Sequence, residues 1–448
     1  MSEKVRIPYE TKEKDLKDMF LYPVAVEDQP RAAITLLGEM LKYKRSLKLY
    51  LDVCTHCGAC VEQCHSYLGT KDPYNMPVAR VDLVRSIYKK VFGPGPSFLR
   101  DWDGAKAISQ ETIDLWYTYF HQCNQCRRCA MFCPKGIDTA EVTIAIREIL
   151  AHLGLVSRFH AGIVKNMNKT GNNMGTPHPA IMDGIEFLEE ELKEETGLDI
   201  PIPMDQEGAE VLFNPSSSDL FNNTDGLMAV AKIFYKAGVS WTLSSQITET
   251  ANFGLFFHEP TLREHSRRLV MAGKELGVKR LVAGECGHGW RTWRMFTQTL
   301  NGPLPFPVLH LFEEVLGYYR AGRIQFDKTK NPEVVTYHDP CNYARAGDLI
   351  QQPRELLAAC VQNFKEMTPT AQYSFCCGGG SGILMDEAKD IRMALGQPKA
   401  ECVRSTGAEI LCAPCAICKA QLPDVMKHHK VDVKVKGLSD LLGRALIL

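Results

Sequence analysis

The chain has 448 residues, room for two or three domains, with 45% hydrophobic and 23% charged residues, the balance of an ordinary globular protein. Its formal net charge of −1 gives no reason to expect nucleic acid or an anionic lipid surface as a partner. The charged opening MSEKVRIPYETKEKDLKDMF predicts no secretory signal, and no run approaches the roughly 18 apolar residues of a membrane span. Seventeen cysteines in such a chain predict bound metal rather than disulfides. The expected compartment is the cytoplasm, which leaves docking onto a membrane subunit open.

Residues 1–45 read as a polar lead-in with one helix, roughly Arg31–Lys44. Residues 46–160 carry two cysteine runs, Cys54-x2-Cys57-x2-Cys60-x3-Cys64 and Cys123-x2-Cys126-x2-Cys129-x3-Cys133. An iron–sulfur cube needs four soft thiolates, three of them from one tight loop. In this spacing each run gives three ligands to one [4Fe–4S] cube and its fourth to the other. A single run would also fit zinc; two in one chain point to two cubanes. The expected sets are Cys54, Cys57, Cys60 and Cys133 for the first cubane, and Cys123, Cys126, Cys129 and Cys64 for the second. The 58 residues between Cys64 and Cys123 predict helices around Arg80–Lys90 and Gln110–His121. After Cys133, Pro134 stops the loop, and Asp138 is placed to cap a helix with Glu141 at its third position. Val142, Ile146, Ile149 and Leu150 then form one apolar stripe, so this module is expected to be helical.

Residues 161–204 read as a connector ending in an acidic helix. From about residue 205, short β-rich runs alternate with helical ones, the pattern of a parallel sheet covered by helices. That pattern occurs twice. Glu210–Ser216 corresponds to Glu333–Cys341, Val239–Ser245 to Tyr373–Cys377, and Gly277–Cys286 to Gly407–Cys415. A repeat of roughly 130 residues is too long for a solenoid unit and suggests duplicated α/β half-domains, 205–325 and 326–448, whose strand-end loops converge. In the second half those loops carry Cys341, the pair Cys376–Cys377 followed by Gly378–Gly382, and Cys415-x2-Cys418. Five thiolates exceed what one cubane needs, and a Cys-Cys-Gly doublet is poor zinc spacing, so an iron–sulfur site is preferred. The first half has Ser216, Ser244–Ser245 and Gly289 at matching places and keeps only Cys286. Either Cys286, with His288 and Arg291, faces the surviving cluster, or it is a small buried hydrophobe. Cys360 and Cys402 fall in helical stretches and read as core.

The array Cys-x34-Cys-Cys-Gly-x36-Cys-x2-Cys behind a two-cluster ferredoxin module resembles the cysteine-rich (CCG) proteins related to heterodisulfide reductase. Longer stretches, among them LDVCTHCGACVEQCHSYLGTKDPYNMPVARVDL, GVKRLVAGECGHGWR and FCCGGGSGILMDE, resemble the DsrK subunits of DsrMKJOP membrane complexes, with TmcB subunits as close paralogues. The likeness runs from about residue 45 to 430. It implies an α+α/β fold: a helical two-[4Fe–4S] ferredoxin domain followed by a duplicated α/β CCG domain of the HdrB/HdrD type. It also implies a noncubane [4Fe–4S] cluster carried by Cys341, Cys376, Cys377, Cys415 and Cys418. Two Cys-x2-Cys units overlap in Cys412-Ala-Pro-Cys415-Ala-Ile-Cys418. Because Lys419-Ala-Gln-Leu matches the residues after the second unit in the family, Cys412 is the alternative rather than the choice. His65 stands where a proline is usual after Cys64.

The activity implied is reduction, or in reverse oxidation, of a disulfide or trisulfide on a DsrC-like sulfur-carrier protein. Electrons would come from menaquinol through a DsrM-like haem b subunit, with the chain held peripherally at the cytoplasmic face. Cys286, His288 and Arg291 are the catalytic candidates. Their glycine-rich loop suits close approach to a bulky group, and the basic pair would supply a proton and positive charge to a leaving thiolate. The alternative is an electron-relay subunit of a glycerol-3-phosphate or glycolate dehydrogenase type, with no substrate of its own.

Overall fold

The computed structural model describes residues 28–93, 107–385 and 388–448; residues 1–27 of the lead-in lie outside them. It forms two compact units. The first comprises the described residues up to Gly162 with Phe253–Thr261 and Gly378–Pro398, the second Ile163–Asn252, Leu262–Cys377 and Lys399–Leu448.

Helices build the first unit. Gln29–Tyr43, Arg45–Asp52, Pro77–Phe92, Gln110–His121 and Thr139–His152 enclose one apolar core. The opening helix begins at Gln29 because the Asp28 carboxylate caps it, accepting from the Arg31 N–H at 3.0 Å, and a proline sits in its first turn. Gln110–His121 starts on Ser109, which exchanges hydrogen bonds with Thr112 as a capping box. Asp138 caps Thr139–His152 by accepting from the Ala140 N–H at 2.9 Å. Val142, Ile146, Ile149 and Leu150 are wholly buried, each side chain of this size contributing about 1.5–3 kcal/mol over its exposed state.

Two segments of the α/β sequence pack within this helical unit. Phe253, Phe256 and Phe257 surround the His160 ring at centroid distances of 6.2, 6.2 and 5.0 Å. The Gly378 loop is held by Asn124, whose Nδ2 donates to the carbonyls of Gly378 at 3.2 Å and Gly380 at 2.8 Å. His65 is buried, with Nδ1 3.0 Å from the Leu395 carbonyl. Aromatic burial and side-chain bonds, neither of which has a period in sequence, place these segments.

The second unit carries two four-stranded parallel sheets. Strands β1 (Val211–Asn214), β2 (Trp241–Thr242), β3 (Arg280–Ala283) and β4 (Val308–His310) are ordered β2-β1-β3-β4. Strands β5 (Val334–Tyr337), β6 (Asn363–Phe364), β7 (Ile410–Cys412) and β8 (Lys434–Lys436) are ordered β6-β5-β7-β8. Identical order twice is the duplication made visible. One correspondence shifts: the partner of β2 is β6, and Ala371–Tyr373, expected near a strand, is a 3₁₀ turn. Its backbone groups are taken elsewhere. Asp339 accepts the Ala371 N–H at 2.8 Å, and Arg345 Nη1 donates to the carbonyls of Gln372 and Ser374 at 2.9 and 2.8 Å.

A buried ion cluster links the halves. Lys419 Nζ lies 2.6 Å from Asp219 Oδ1 and 3.3 Å from Glu285 Oε2, with all three side chains nearly inaccessible. Glu285 Oε1 accepts from the Ser439 N–H and hydroxyl at 2.7 and 2.8 Å. Burial opposes the lysine charge, but Asp219 and Glu285 outweigh it and hold Lys419 above its ordinary value. Lys419→Met would leave two carboxylates buried without a cation, so a loss of about 3–5 kcal/mol is expected. The urea midpoint should fall accordingly, while the exposed control Lys427→Met leaves it in place.

Candidate metal centres

In both cysteine runs the residues two and four places after the first cysteine have left-handed φ: His56 (53°) and Gly58 (78°), then Gln125 (50°) and Arg127 (63°). Three of these four are not glycine, so the winding is held against a backbone cost. It turns each loop tightly enough to aim three thiols inward. A cavity is lined by Cys54, Cys57, Cys60 and Cys133, with Arg85, Pro134 and Ile137, and Cys129 at its wall. Burial pushes the Cys60 thiol up to about 11, and Cys133 and Cys54 are its charged neighbours. Cys64, raised by burial, has Cys126 and Cys123 beside it; Cys129, also raised by burial, has Cys64, Cys126 and Cys123. The fourth cysteine of each run therefore lies among the first three of the other. The first loop is open to solvent from Thr55 to Ala59, whereas Asn124 and Gln125 of the second are buried.

The second unit gathers the other thiols. Cys418 Sγ donates to Cys377 Sγ at 3.4 Å, and His338 Nε2 stands 3.3 Å from Cys418 Sγ. The donor atoms of His338, Cys377 and Cys418 all lie within 4.8 Å of one another. Hydrogen bonds from Cys376 and Cys418 draw the Cys377 thiol well below its ordinary value, while Cys418, giving its proton to this network, is raised. Cys415 is lowered, first by a bond from Cys418. Cys341 opens the short helix Cys341–Ala344, which packs on Gly287–Thr292. Cys412 keeps other company. It ends β7, and burial raises its thiol beside Glu285 and Cys360. Cys360 and Cys402 are buried in the helices Gln351–Cys360 and Lys389–Arg404.

Cys286 and Cys415 occupy the same turn in their two halves. Each N–H bonds the carbonyl two residues back (Gly284 at 2.7 Å, Ala413 at 2.8 Å), and each residue caps the following helix. Gly287 then donates its N–H to Cys415 Sγ at 3.4 Å. A Cβ there would stand 3.1 Å from that sulfur and 3.3 Å from Asn342 Cβ, and one at Gly289 would reach 2.4 Å from the Thr250 carbonyl. Only glycine permits this approach. Cys286 is wholly buried and its thiol raised well above the ordinary range by burial, with Cys415 the next cause. His288 Nδ1 is 3.4 Å from Cys286 Sγ. Burial lowers His288 to about 3, so this imidazole is neutral near pH 7 and the positive charge here belongs to the buried Arg291. Thiol and imidazole donors, without a carboxylate among them, form a soft set that suits iron–sulfur chemistry.

Residues 50–137 match the 4Fe-4S dicluster domain and residues 335–423 the cysteine-rich domain. The Hdr-like menaquinol oxidoreductase iron-sulfur subunit 2 of Archaeoglobus fulgidus is 33% identical, across 100% of this chain and 88% of its own length. The corresponding subunit of Archaeoglobus profundus is 33% identical, over 92% of this chain and 82% of its own. A subunit of the dihydromethanophenazine:CoB–CoM heterodisulfide reductase of Methanosarcina mazei is 26% identical, over 88% of this chain and 94% of its own. The chain belongs to the Hdr-like iron–sulfur subunits. Its cofactors are two cubane [4Fe–4S] clusters in the dicluster domain and a further [4Fe–4S] cluster in the cysteine-rich domain. Among the described residues no helix is long and apolar enough to cross a membrane.

Three residues beside the cysteine-rich site escape sequence reasoning. His338, in His338-Asp339-Pro340-Cys341, had a signal in its nearness to Cys341. Lys399 had none; it is wholly buried, its Nζ donating to Ser374 Oγ at 2.8 Å. Nor had Glu249, which is wholly buried and one of the charged neighbours of Cys286. Its Oε1 accepts the Asn173 N–H at 3.2 Å, while Oε2 has no hydrogen-bond partner among the described residues. Burial pushes the Glu249 carboxyl up to about 8. The folded chain thus keeps a proton that the unfolded chain releases near pH ~4.3, so the contribution of Glu249 to stability is fully present below that pH and is lost as the pH rises to about 8. Between about pH 6 and pH 8 the fall is on the order of 2–3 kcal/mol. Glu249→Gln should flatten this slope, read from denaturant midpoints of the cluster-loaded protein at the two pH values.

Proposed function

We propose that this chain is the catalytic iron–sulfur subunit of a membrane-bound complex that reduces, or in reverse oxidises, a disulfide or trisulfide on a DsrC-like sulfur-carrier protein. Electrons reach it from menaquinol through a DsrM-like haem b subunit at the cytoplasmic face. Cys54, Cys57, Cys60 and Cys133 hold the first cubane, and Cys123, Cys126, Cys129 and Cys64 the second. Cys341, Cys376, Cys377, Cys415 and Cys418 hold a noncubane cluster. When bound, that cluster supplies one-electron chemistry at sulfur. Two electrons and two protons turn one sulfur–sulfur bond into two S–H groups, giving two thiols from a disulfide and a thiol with a persulfide from a trisulfide.

The observation that carries this reading is the position of Cys286. It is a thiol just past the end of β3, beside Cys415 and outside the five cysteines assigned above to the cluster. A relay subunit needs no such group. Cys286 attacks the substrate sulfur to form a mixed disulfide. The neutral imidazole of His288 relays the Cys286 proton to the departing sulfur, and Arg291 stabilises that sulfur as it leaves. Two electrons and two protons then cleave the mixed disulfide and restore the Cys286 thiol. An aromatic wall keeps water out. Trp290, His310 and Tyr343 stack edge to face, with centroids 5.2 and 4.7 Å apart, and Trp290 Nε1 donates to the Gly347 carbonyl at 2.9 Å. Cys341 and Asn342 are the partly exposed members, so substrate approaches from their side.

Two outcomes test this reading. Cys412→Ala should leave the EPR signal of the cysteine-rich site largely intact, whereas Cys418→Ala abolishes or transforms it; the reverse would move the ligand register by three residues. Cys286→Ala should keep all three clusters yet lose both the thiol-induced EPR change and sulfur–sulfur reduction. Normal turnover in that variant, or no thiol-induced change in the wild type, favours the relay role instead.

A further inference from the structure

Two arginines of the helical unit are buried in an unusual way. Arg80 and Arg147 are each 1% exposed, and neither has a carboxylate partner among the described residues. Arg80 donates from Nε to the Tyr119 carbonyl at 2.9 Å and from Nη2 to Asn75 Oδ1 at 2.6 Å and the Asn75 carbonyl at 3.3 Å. That same carbonyl accepts from Cys64 Sγ at 3.5 Å. Arg147 spends its donors on the carbonyls of Phe120, His121, Cys123 and Ser381, at 2.7–3.3 Å, and on the Ser381 hydroxyl at 2.7 Å.

A buried cation paired only with neutral acceptors is strongly disfavoured unless an anion lies near it. The groups beside these two that would carry negative charge in a loaded site are the cluster cysteines: Arg80 and the Cys64 thiol share the Asn75 carbonyl, and Arg147 holds the carbonyl of Cys123 itself at 3.0 Å. Arg128, also buried, adds to the same side through the Gln63 carbonyl at 2.7 Å, next to Cys64.

Around the first cubane the charges cancel locally. Arg85, which lines its cavity, is paired with Asp82. Lys135 at the same cavity is exposed and screened by water.

We propose that Arg80 and Arg147 are the buried counter-charges of the second cubane, held by Cys123, Cys126, Cys129 and Cys64, and make it the more easily reduced of the two. The proposal rests on the ligand sets given above. Reduction adds one negative charge to a cube, so fixed cations favour the reduced state, while burial away from water disfavours it. The two guanidinium groups outweigh that burial. Electrons then enter at the solvent-open first loop and pass to the second cubane.

EPR-monitored redox titration of the full-length, cluster-loaded protein tests this. Arg80→Met and Arg147→Met should each make the second cubane at least tenfold harder to reduce, a fall of about 59 mV for one electron, with the first cubane unmoved. Arg80→Lys and Arg147→Lys keep the charge while losing most of the hydrogen bonds, and should stay near the wild type. Methionine variants that titrate like the wild type, or lysine variants that shift as far as the methionine ones, overturn the proposal. Should neither methionine variant assemble the second cubane, the wild type decides. Cys57→Ser, which touches only the first cubane, must then change the lower-potential step; a change in the higher step overturns the proposal. If Cys57→Ser disturbs both cubanes, the ligand reading itself falls and takes the proposal with it, whereas an unmoved midpoint on a correctly assigned cubane sinks the proposal alone.

Discussion

One buried lysine fixes the geometry of the cysteine-rich site. Lys419 follows Cys418 directly, Glu285 precedes Cys286 directly, and their charged groups stand 3.3 Å apart with Asp219 at 2.6 Å. A surface pair of this kind would be worth little, but removing any member of a buried one strands an uncompensated charge. The ions thereby lock the loop of one half-domain to the loop of the other. The Glu285 carbonyl reinforces the lock by accepting the Ala416 N–H at 2.9 Å. Once those loops are locked, the approach of Gly287 to the Cys415 sulfur is set.

The half-domain that carries only Cys286 still serves the site. Ser216, at the place of Cys341, caps a helix and donates to Asp219 Oδ2 at 2.7 Å, which turns that carboxylate toward the ion cluster. Gly289, at the place of Cys418, lets the chain press on Thr250. The segment Gln246–Asn252, which follows the serines at the place of the Cys-Cys pair, brings in Glu249. The helix bearing His288 and Arg291 runs on into a π-helical turn, Trp293–Thr297, a form that often marks functional places.

Electrostatics divide the helical unit in the same selective way. Arg85, at the cavity of the solvent-open loop, is matched by Asp82, whereas Arg80 and Arg147, near the buried loop, bond only neutral oxygens among the described residues. Arg147 also ties the second cysteine loop to Ser381, so one side chain serves both packing and charge.

Sequence by itself determined what depends on spacing along the chain. Two Cys-x2-Cys-x2-Cys-x3-Cys runs specify tight loops with the fourth cysteine of each among the first three of the other, because ligation fixes distances between near neighbours. The 3.6-residue stripe at Val142–Leu150 specified a helix, and the strand motifs, repeated roughly 130 residues apart, specified two like half-domains. Only the tertiary structure decided the rest. It set Cys286 beside Cys415, turned the residues before Cys376 from strand to 3₁₀ turn, and drew Phe253–Thr261 and Gly378–Pro398 into the helical unit. It also made His288 neutral, Glu249 acidic yet protonated, and Arg80 and Arg147 cations without carboxylates. Each of these depends on how much water and which charges surround a side chain, and that is settled by residues far away in sequence.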